Sequence, residues 1–223
     1  MINVAMDGPV GAGKSSVARE CAKRLGFIYV DTGALYRAVG LYCTRNGIEM
    51  SVENEQAVKK AVEDGVSLEI KLEEGTQLVF MNGENVSEEI RLPEISMAAS
   101  AVSAIPAVRR FLLDTQRSVA AKNNVIMDGR DIGTVILPNA DVKIFITAAP
   151  EIRAKRRYDE LVAKGVDVKF EDVLSDLNKR DYNDSHRAEA PLKQADDAVL
   201  LDTSALDFEQ TVNEVIRLVK TKM

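Results

Sequence analysis

Asp7-Gly8-Pro9-Val10-Gly11-Ala12-Gly13-Lys14-Ser15-Ser16 follows the apolar run Ile2 to Met6 and precedes a helical pattern. A strand, a glycine-rich turn and a helix start with the spacing G-x-x-x-x-G-K-S read as a phosphate-binding loop. The glycines have a physical task, because a loop that wraps a triphosphate turns several backbone N–H groups inward and takes dihedrals that a side chain forbids. Lys14 then reaches the β- and γ-phosphates, and the Ser15 hydroxyl is offered to Mg²⁺. The helix beginning at Lys14 aims its positive end at the same anion.

Working outward, Val17, Ala18, Cys21, Ala22 and Leu25 recur at helical spacing, and Gly26 stands where a helix C-terminus favours glycine. Phe27 to Val30 reads as a short buried strand ending in Asp31-Thr32-Gly33, and a second helical pattern runs on to Gly47. This alternation opens a parallel α/β sheet, whose ligands gather at the carboxyl ends of the strands, where Asp7 and Asp31 lie. The rhythm breaks at Asp64-Gly65. Val66, Leu68, Ile70 and Leu72 alternate with polar residues, Glu74-Gly75 predicts a turn into Thr76 to Met81, and Asn82-Gly83 predicts a hairpin into Glu84 to Val86. Residues 64–90 are therefore expected to form a small antiparallel sheet inserted into a core made of 1–63 and 91–223. Pro93 and Pro106 open two helices. Strands follow at Val125 to Met127, Val142 to Thr147 and Ala198 to Leu201, with helices over Pro150 to Lys164, about Phe170 to Arg187, and Phe208 to Lys220. The expectation is one three-layer α/β domain of the phosphate-loop type with a five-stranded parallel sheet.

The totals narrow the function classes. The 223 residues are 46% hydrophobic, enough for a full core, yet no apolar run approaches the ~18 residues of a membrane span. Met1 leads into a strand rather than a basic segment and apolar signal, which points to a cytoplasmic protein with no membrane partner. A formal charge of −6 argues against a general nucleic-acid binder. Cys21 and Cys43 stand in helical segments and are expected to be reduced thiols, neither a disulfide nor a zinc site.

A phosphate loop alone implies only a bound nucleoside triphosphate. Arginines supply more. Arg37 follows the second strand end, Arg130 stands between Asp128 and Asp131 at the third, and Arg153, Arg156 and Arg157 share a helix face that is equally what a solvated surface gives. Arg180 and Arg187 come one helix later. Two groups of arginines suit two phosphorylated molecules facing each other, because transfer concentrates negative charge on the moving phosphoryl group. An acceptor that is itself a phosphate needs no strong general base, in keeping with a single histidine, His186. Transfer must also exclude water, so an arginine-bearing helical lid over about 150–187 is expected.

Over essentially its whole length the chain resembles the bacterial-type cytidylate kinases, of the nucleoside monophosphate kinase group. The resemblance rests on Asp7-Gly8-Pro9, Asp31-Thr32-Gly33-Ala34-Leu35-Tyr36-Arg37, Asp128-Gly129-Arg130-Asp131-Ile132-Gly133-Thr134, Arg180-Asp181 and Arg187-Ala188-Glu189-Ala190-Pro191-Leu192, together with the long insert. It implies Mg²⁺- and ATP-dependent phosphorylation of CMP and dCMP, with UMP a poorer acceptor, by a monomer. It also implies that Gly8 to Ser16 bind ATP, that Arg37 and Arg130 clamp the acceptor phosphate with Thr32, Asp128 and Gly129 beside them, and that the insert lies on the acceptor side. Ser100, Arg109 and Asp131 match positions that recognise the cytosine edge, Asp184 and Arg187 match sugar and base contacts, and Arg153, Arg157 and Arg180 resemble lid residues that work with Lys14 and Arg130 on the transferring group. Ser100, set among Ala98, Ala99 and Ala101, is also what close helix packing would select. The rival reading is a nucleotide-dependent switch, or a phosphate-loop kinase with another acceptor. No Asn-Lys-x-Asp guanine signature supports the switch.

Overall fold

The computed structural model describes residues 1–73 and 76–223; the turn expected at Glu74-Gly75 lies outside the described residues. In chain order the elements are β1 (Asn3–Asp7), α1 (Lys14–Leu25), β2 (Ile28–Asp31), α2 (Thr32–Arg45), α3 (Glu55–Gly65), β3 (Leu68–Glu73), β4 (Thr76–Met81) and β5 (Glu84–Asn85). They continue with α4 (Pro93–Ser103), α5 (Pro106–Lys122), β6 (Val125–Gly129), β7 (Val142–Thr147), α6 (Pro150–Ala163), α7 (Phe170–His186), β8 (Val199–Asp202) and α8 (Phe208–Lys220). The five-stranded sheet has the order β2-β6-β1-β7-β8, and the second sheet is the three-stranded antiparallel β3-β4-β5.

Two compact units divide the chain. The first is Ile28–Val125 with Met1, and the second is Ile2–Phe27 with Ile126–Met223. In the second, β1 pairs with β7 in parallel, Val4 against Val142 through Asp7 against Phe145, and β7 pairs with β8. This register carries β7 two residues past the end of β1, since Asp7 faces Phe145 and β7 continues to Thr147. β1 is apolar on both faces, with Val4, Ala5 and Met6 buried, as a sheet covered on both sides requires, and Ile144 and Ile146 bury one face of β7. Gly8 then turns the chain at φ +147°, and a Cβ there would lie 1.9 Å from the Ile146 carbonyl oxygen, so only glycine lets the loop pass so close to β7.

In the first unit, α2, α3 and α5 bury Leu35, Val39, Val58, Val62, Val108 and Leu112 in one cluster. Ala34, Ala38 and Leu41 of α2 pack with Val79 and Met81 of β4. The small sheet thus shares its core with the helix that follows Asp31.

Several element ends shift from the expected positions for local reasons. Phe27 leaves the strand because its N–H donates to Ala22 O (2.9 Å), closing α1 behind Gly26 at φ +68°. Val66 caps α3 by donating to Val62 O (3.1 Å), so pairing begins only at Leu68. The loop after Arg130 forms a turn of π-helix over Ile132–Ile136, which no local pattern announces. Among the described residues no single helix is long and apolar enough to cross a membrane.

Gly40 of α2 faces α4, where an added Cβ would stand 3.0 Å from both the carbonyl carbon and the Cβ of Ala98. Alanine gains about 1 kcal/mol of helix propensity over glycine, whereas forcing a methyl between two backbones costs ~1–3 kcal/mol. Packing wins because the obstruction is main chain. Gly40→Ala is expected to lower the urea midpoint despite the better helix former; a raised midpoint would show that α2 and α4 separate freely.

Candidate active site

The phosphate loop and most of the arginines belong to the second unit. Asp7, at the end of β1, does not point its charge at a ligand position: Oδ1 accepts from Ile132 N and Oδ2 from Gly133 N, both at 2.7 Å. It ties the π turn to the sheet. Burial pushes its carboxyl up to about 6, with the two amide bonds opposing.

Lys14 is almost wholly buried, and its Nζ donates to Pro9 O at 2.7 Å. Burial and the neighbouring Arg130 guanidinium lower it to about 7, while Asp128, Asp7 and Asp184 pull the other way. Ser15 Oγ donates to Asp128 Oδ2 at 2.7 Å. A hydroxyl and a carboxylate so placed suit a hard cation that keeps several waters and takes its remaining oxygens from phosphate. Among the described residues no group of three or more His, Cys, Asp or Glu side chains could hold a metal by itself.

Arg130 donates from Nε to Asp184 Oδ2 at 2.7 Å. Burial alone would lower its pKa, but Asp184 and Asp128 outweigh that and hold it above the usual arginine value. Arg180 is pushed below the usual value by burial and by Arg130, with Asp184 opposing, and it also feels the charge of Arg157. Lys14, Arg130, Arg180 and Arg157 thus form one chain of mutually sensed cations. Arg157 itself is half exposed and pairs with Glu160 at 2.8 Å. Arg153 is buried, bonding Ala148 O from Nε, and Val10 O and Asp181 Oδ2 from Nη1. Arg156, not counted among the site residues, bonds Thr203 O at 2.7 Å and so ties α6 to the segment after β8. Arg187 donates to Ala190 O and lies 3.4 Å from Asp131, with both side chains buried.

The remaining candidates lie in the first unit. Asp31 caps α2 by accepting from Ala34 N (3.1 Å), and its other oxygen holds Arg37 Nη2 at 2.6 Å. Thr32 is buried beside it as the first residue of α2. A Cβ on Gly33 would come within 3.2 Å of both Asp31 Oδ1 and Arg37 Nη1, so its bareness leaves room for the pair. Arg109 is buried over the Tyr36 ring, 5.6 Å from its centroid, and donates to Ser103 O; Ser100 O accepts from the Ser103 hydroxyl. Arg109, Ser100 and Tyr36 therefore form one neighbourhood.

Gln77 escapes sequence reasoning, and the bonding roles of Asp31 and Asp181 are not read from the motifs that contain them. Asp31 was legible only as a strand end, although D-T-G before a helix is a capping signal. Gln77 of β4 accepts from Asp31 N (2.8 Å) and donates to Asp31 O (3.2 Å), and nothing in its sequence context marks it. Asp181 stands beside Arg180, and its link to Val10 spans 171 residues. His186 stacks on Tyr182 with ring centroids 4.0 Å apart on α7.

A phosphate loop with buried cations at the strand ends of a parallel α/β sheet defines a nucleotide-binding kinase of the phosphate-loop class. Within that class the chain belongs to the cytidylate kinase family, whose model matches residues 4–221. It is 49% identical over 219 residues to the cytidylate kinase of Caldicellulosiruptor bescii, covering 97% of this chain and 95% of that one. It is 46% identical to the cytidylate kinase of Thermosipho melanesiensis, covering 98% and 97%. A crystal structure of an uncharacterized protein from Eubacterium ventriosum superposes with a TM-score of 0.53 at 13% identity over 99% of each chain, a likeness of fold alone.

The lowered pKa of Lys14 makes a stability prediction. The folded state releases the lysine proton near pH 7, whereas the unfolded chain keeps it to the ordinary lysine range, so wild-type stability rises with pH between those values. Lys14→Met removes this cost. The variant is expected to melt above wild type at pH 6 and to lose that advantage towards pH 10, while turnover falls about a thousandfold. Parallel melting curves for the two proteins across that pH range would disprove the assignment.

Proposed function

We propose that the protein transfers the γ-phosphoryl group of ATP to CMP and dCMP, giving CDP and dCDP, with UMP a poorer acceptor. The observation that carries this reading is the phosphate loop with Lys14 buried at its end and the Ser15 hydroxyl bonded to Asp128, in a chain of the cytidylate kinase family. Gly8 to Ser16 take the triphosphate, with Lys14 on its β/γ oxygens. Ser15 and Asp128 are the residues that would hold Mg²⁺, which supplies charge neutralisation on the phosphates. Asp128, grouped with the acceptor residues from sequence, is supported for this role by its bond to the Ser15 hydroxyl. Arg130, Arg153, Arg157 and Arg180 serve the transferring group, and α6 with α7 is the lid.

On the acceptor side, Arg37 and Arg130 hold the monophosphate, with Thr32 and Gly129 beside them. Ser100, Arg109 and Asp131 read the base, and Asp184 and Arg187 reach sugar and base. Cytosine presents an exocyclic amine donor where uracil presents a carbonyl. A buried carboxylate such as Asp131 accepts from the first and repels the second. The nucleophile is a phosphate oxygen already ionised at neutral pH, so the residues need only align and neutralise. The antiparallel insert of 64–90 belongs to the acceptor side of one kinase domain. A cytoplasmic monomer in pyrimidine nucleotide metabolism completes the reading.

With Mg-ATP and a panel of CMP, dCMP, UMP, AMP and a sugar alcohol, CMP and dCMP should give the highest kcat/KM. A chain that served AMP or the alcohol as well as CMP would end the proposal. Arg37→Ala should raise the CMP KM at least tenfold while the ATP KM stays within threefold; an unchanged CMP dependence would remove Arg37 from the clamp.

A further inference from the structure

The phosphate loop is held from outside by a residue with no assigned role. Asp181 of α7 accepts from Val10 N with Oδ1 (3.2 Å) and from Arg153 Nη1 with Oδ2 (2.6 Å), and Arg153 Nη1 also donates to Val10 O at 2.8 Å. Lys14 Nζ takes Pro9 O. The Pro9–Val10 peptide is therefore gripped at both ends, its carbonyl by Lys14 and its N–H by Asp181, and the carbonyl of the next peptide is gripped by Arg153. A trans peptide fixed on both sides cannot flip without breaking two bonds, one of them to a charged acceptor.

The surroundings reinforce the grip. The Val10 side chain packs against the cluster of Ala154, Val173 and Leu177 between α6 and α7. A Cβ on Gly11 would stand 3.3 Å from Leu177 Cδ1 and 3.4 Å from Arg153 Cβ, so the loop lies flat on the helix pair. Buried Arg153 has its Nε occupied by Ala148 O, which leaves its guanidinium little freedom to turn away.

We infer that Asp181 is a positioning residue for ATP: through Val10 and Arg153 it sets the phosphate loop in its binding conformation and locks the loop to α6 and α7. This rests on the kinase reading above for the identity of the nucleotide. It has a signature that separates it from a plain charge effect. Asp181 carries a negative charge that Arg130 and Arg180 both sense. Were it only a charge, its removal would strengthen binding of a polyanion; as a positioning group, its removal must weaken it.

The test is titration calorimetry with Mg-ATP in the absence of CMP. Asp181→Ala, which loses both bonds, should bind at least tenfold more weakly than wild type, and Asp181→Asn, which keeps one acceptor oxygen, should stay within threefold. Turnover should show the loss in the ATP KM, with the CMP KM moved less than twofold. Asp159→Asn, in an exposed pair with Lys155 on α6, serves as a control and should match wild type. Less than threefold weakening in Asp181→Ala, or tighter binding, overturns the inference. Should Asp181→Ala fail to fold, exchange of the Val10 amide proton in the wild-type protein decides: exchange at least a hundredfold slower than the solvent rate supports the grip, and anything faster refutes it. A wild-type protein that does not bind Mg-ATP would refute the kinase reading instead.

Discussion

Buried positive charge is the constraint that the rest of this molecule answers. A polyphosphate needs several cations within a few ångströms, and water would screen them, so they must be enclosed. Enclosing Lys14 next to Arg130 is unfavourable twice, through lost hydration and through mutual repulsion, and both effects appear in the lowered pKa of Lys14. The chain answers with carboxylates of matching placement. Asp184 bonds Arg130, and Asp128 is felt by both the Lys14 and the Arg130 charges while its oxygen takes the Ser15 hydroxyl. Arginine keeps its charge under burial, whereas burial beside Arg130 lowers Lys14 to about 7.

In the other unit the same economy appears around Arg37. Its partner Asp31 is also the helix cap, so one carboxylate fixes both the start of α2 and the guanidinium one turn along it. The backbone of Asp31 would be loose at a strand end, but Gln77 of β4 pairs with its N–H and its C=O as a neighbouring strand would. The small antiparallel sheet is therefore not an ornament on this unit. Its central strand completes the main-chain bonding of the residue from which the Arg37 clamp hangs, and Val79 and Met81 anchor that strand in the core shared with α2.

Most of this fold was legible because it is written in local periodicity. β7 and α8 fall on the expected residues, and the hairpin follows Asn82-Gly83. The misplaced ends are those where one hydrogen bond decides, as at Phe27 and Val66. The π turn at Ile132–Ile136 stayed hidden because its cause is distant: Asp7, 125 residues earlier, supplies the acceptors for Ile132 N and Gly133 N. The site divides in the same way. Residues that must touch phosphate betray themselves by type and spacing, as Lys14 and Arg130 do. Residues that position those groups carry no such mark: Gln77 is one glutamine in a strand, and Asp181 one carboxylate in a helix rich in them.

Helix geometry explains why both ties of α7 come from one stretch of sequence. Asp181 and Asp184 are three residues apart, hence on neighbouring positions of one helix face. The first grips the phosphate loop through Val10 and Arg153; the second grips Arg130. A rotation of α7 by one residue, about 100°, would carry both carboxylates off that face together. The position of the loop amides and the aim of Arg130 are thus not independent variables, since one rigid element sets both. Val173 and Leu177, buried on the same helix against α6, add apolar packing that resists such a rotation. Packing that touches no nucleotide therefore contributes to the alignment of the groups that would.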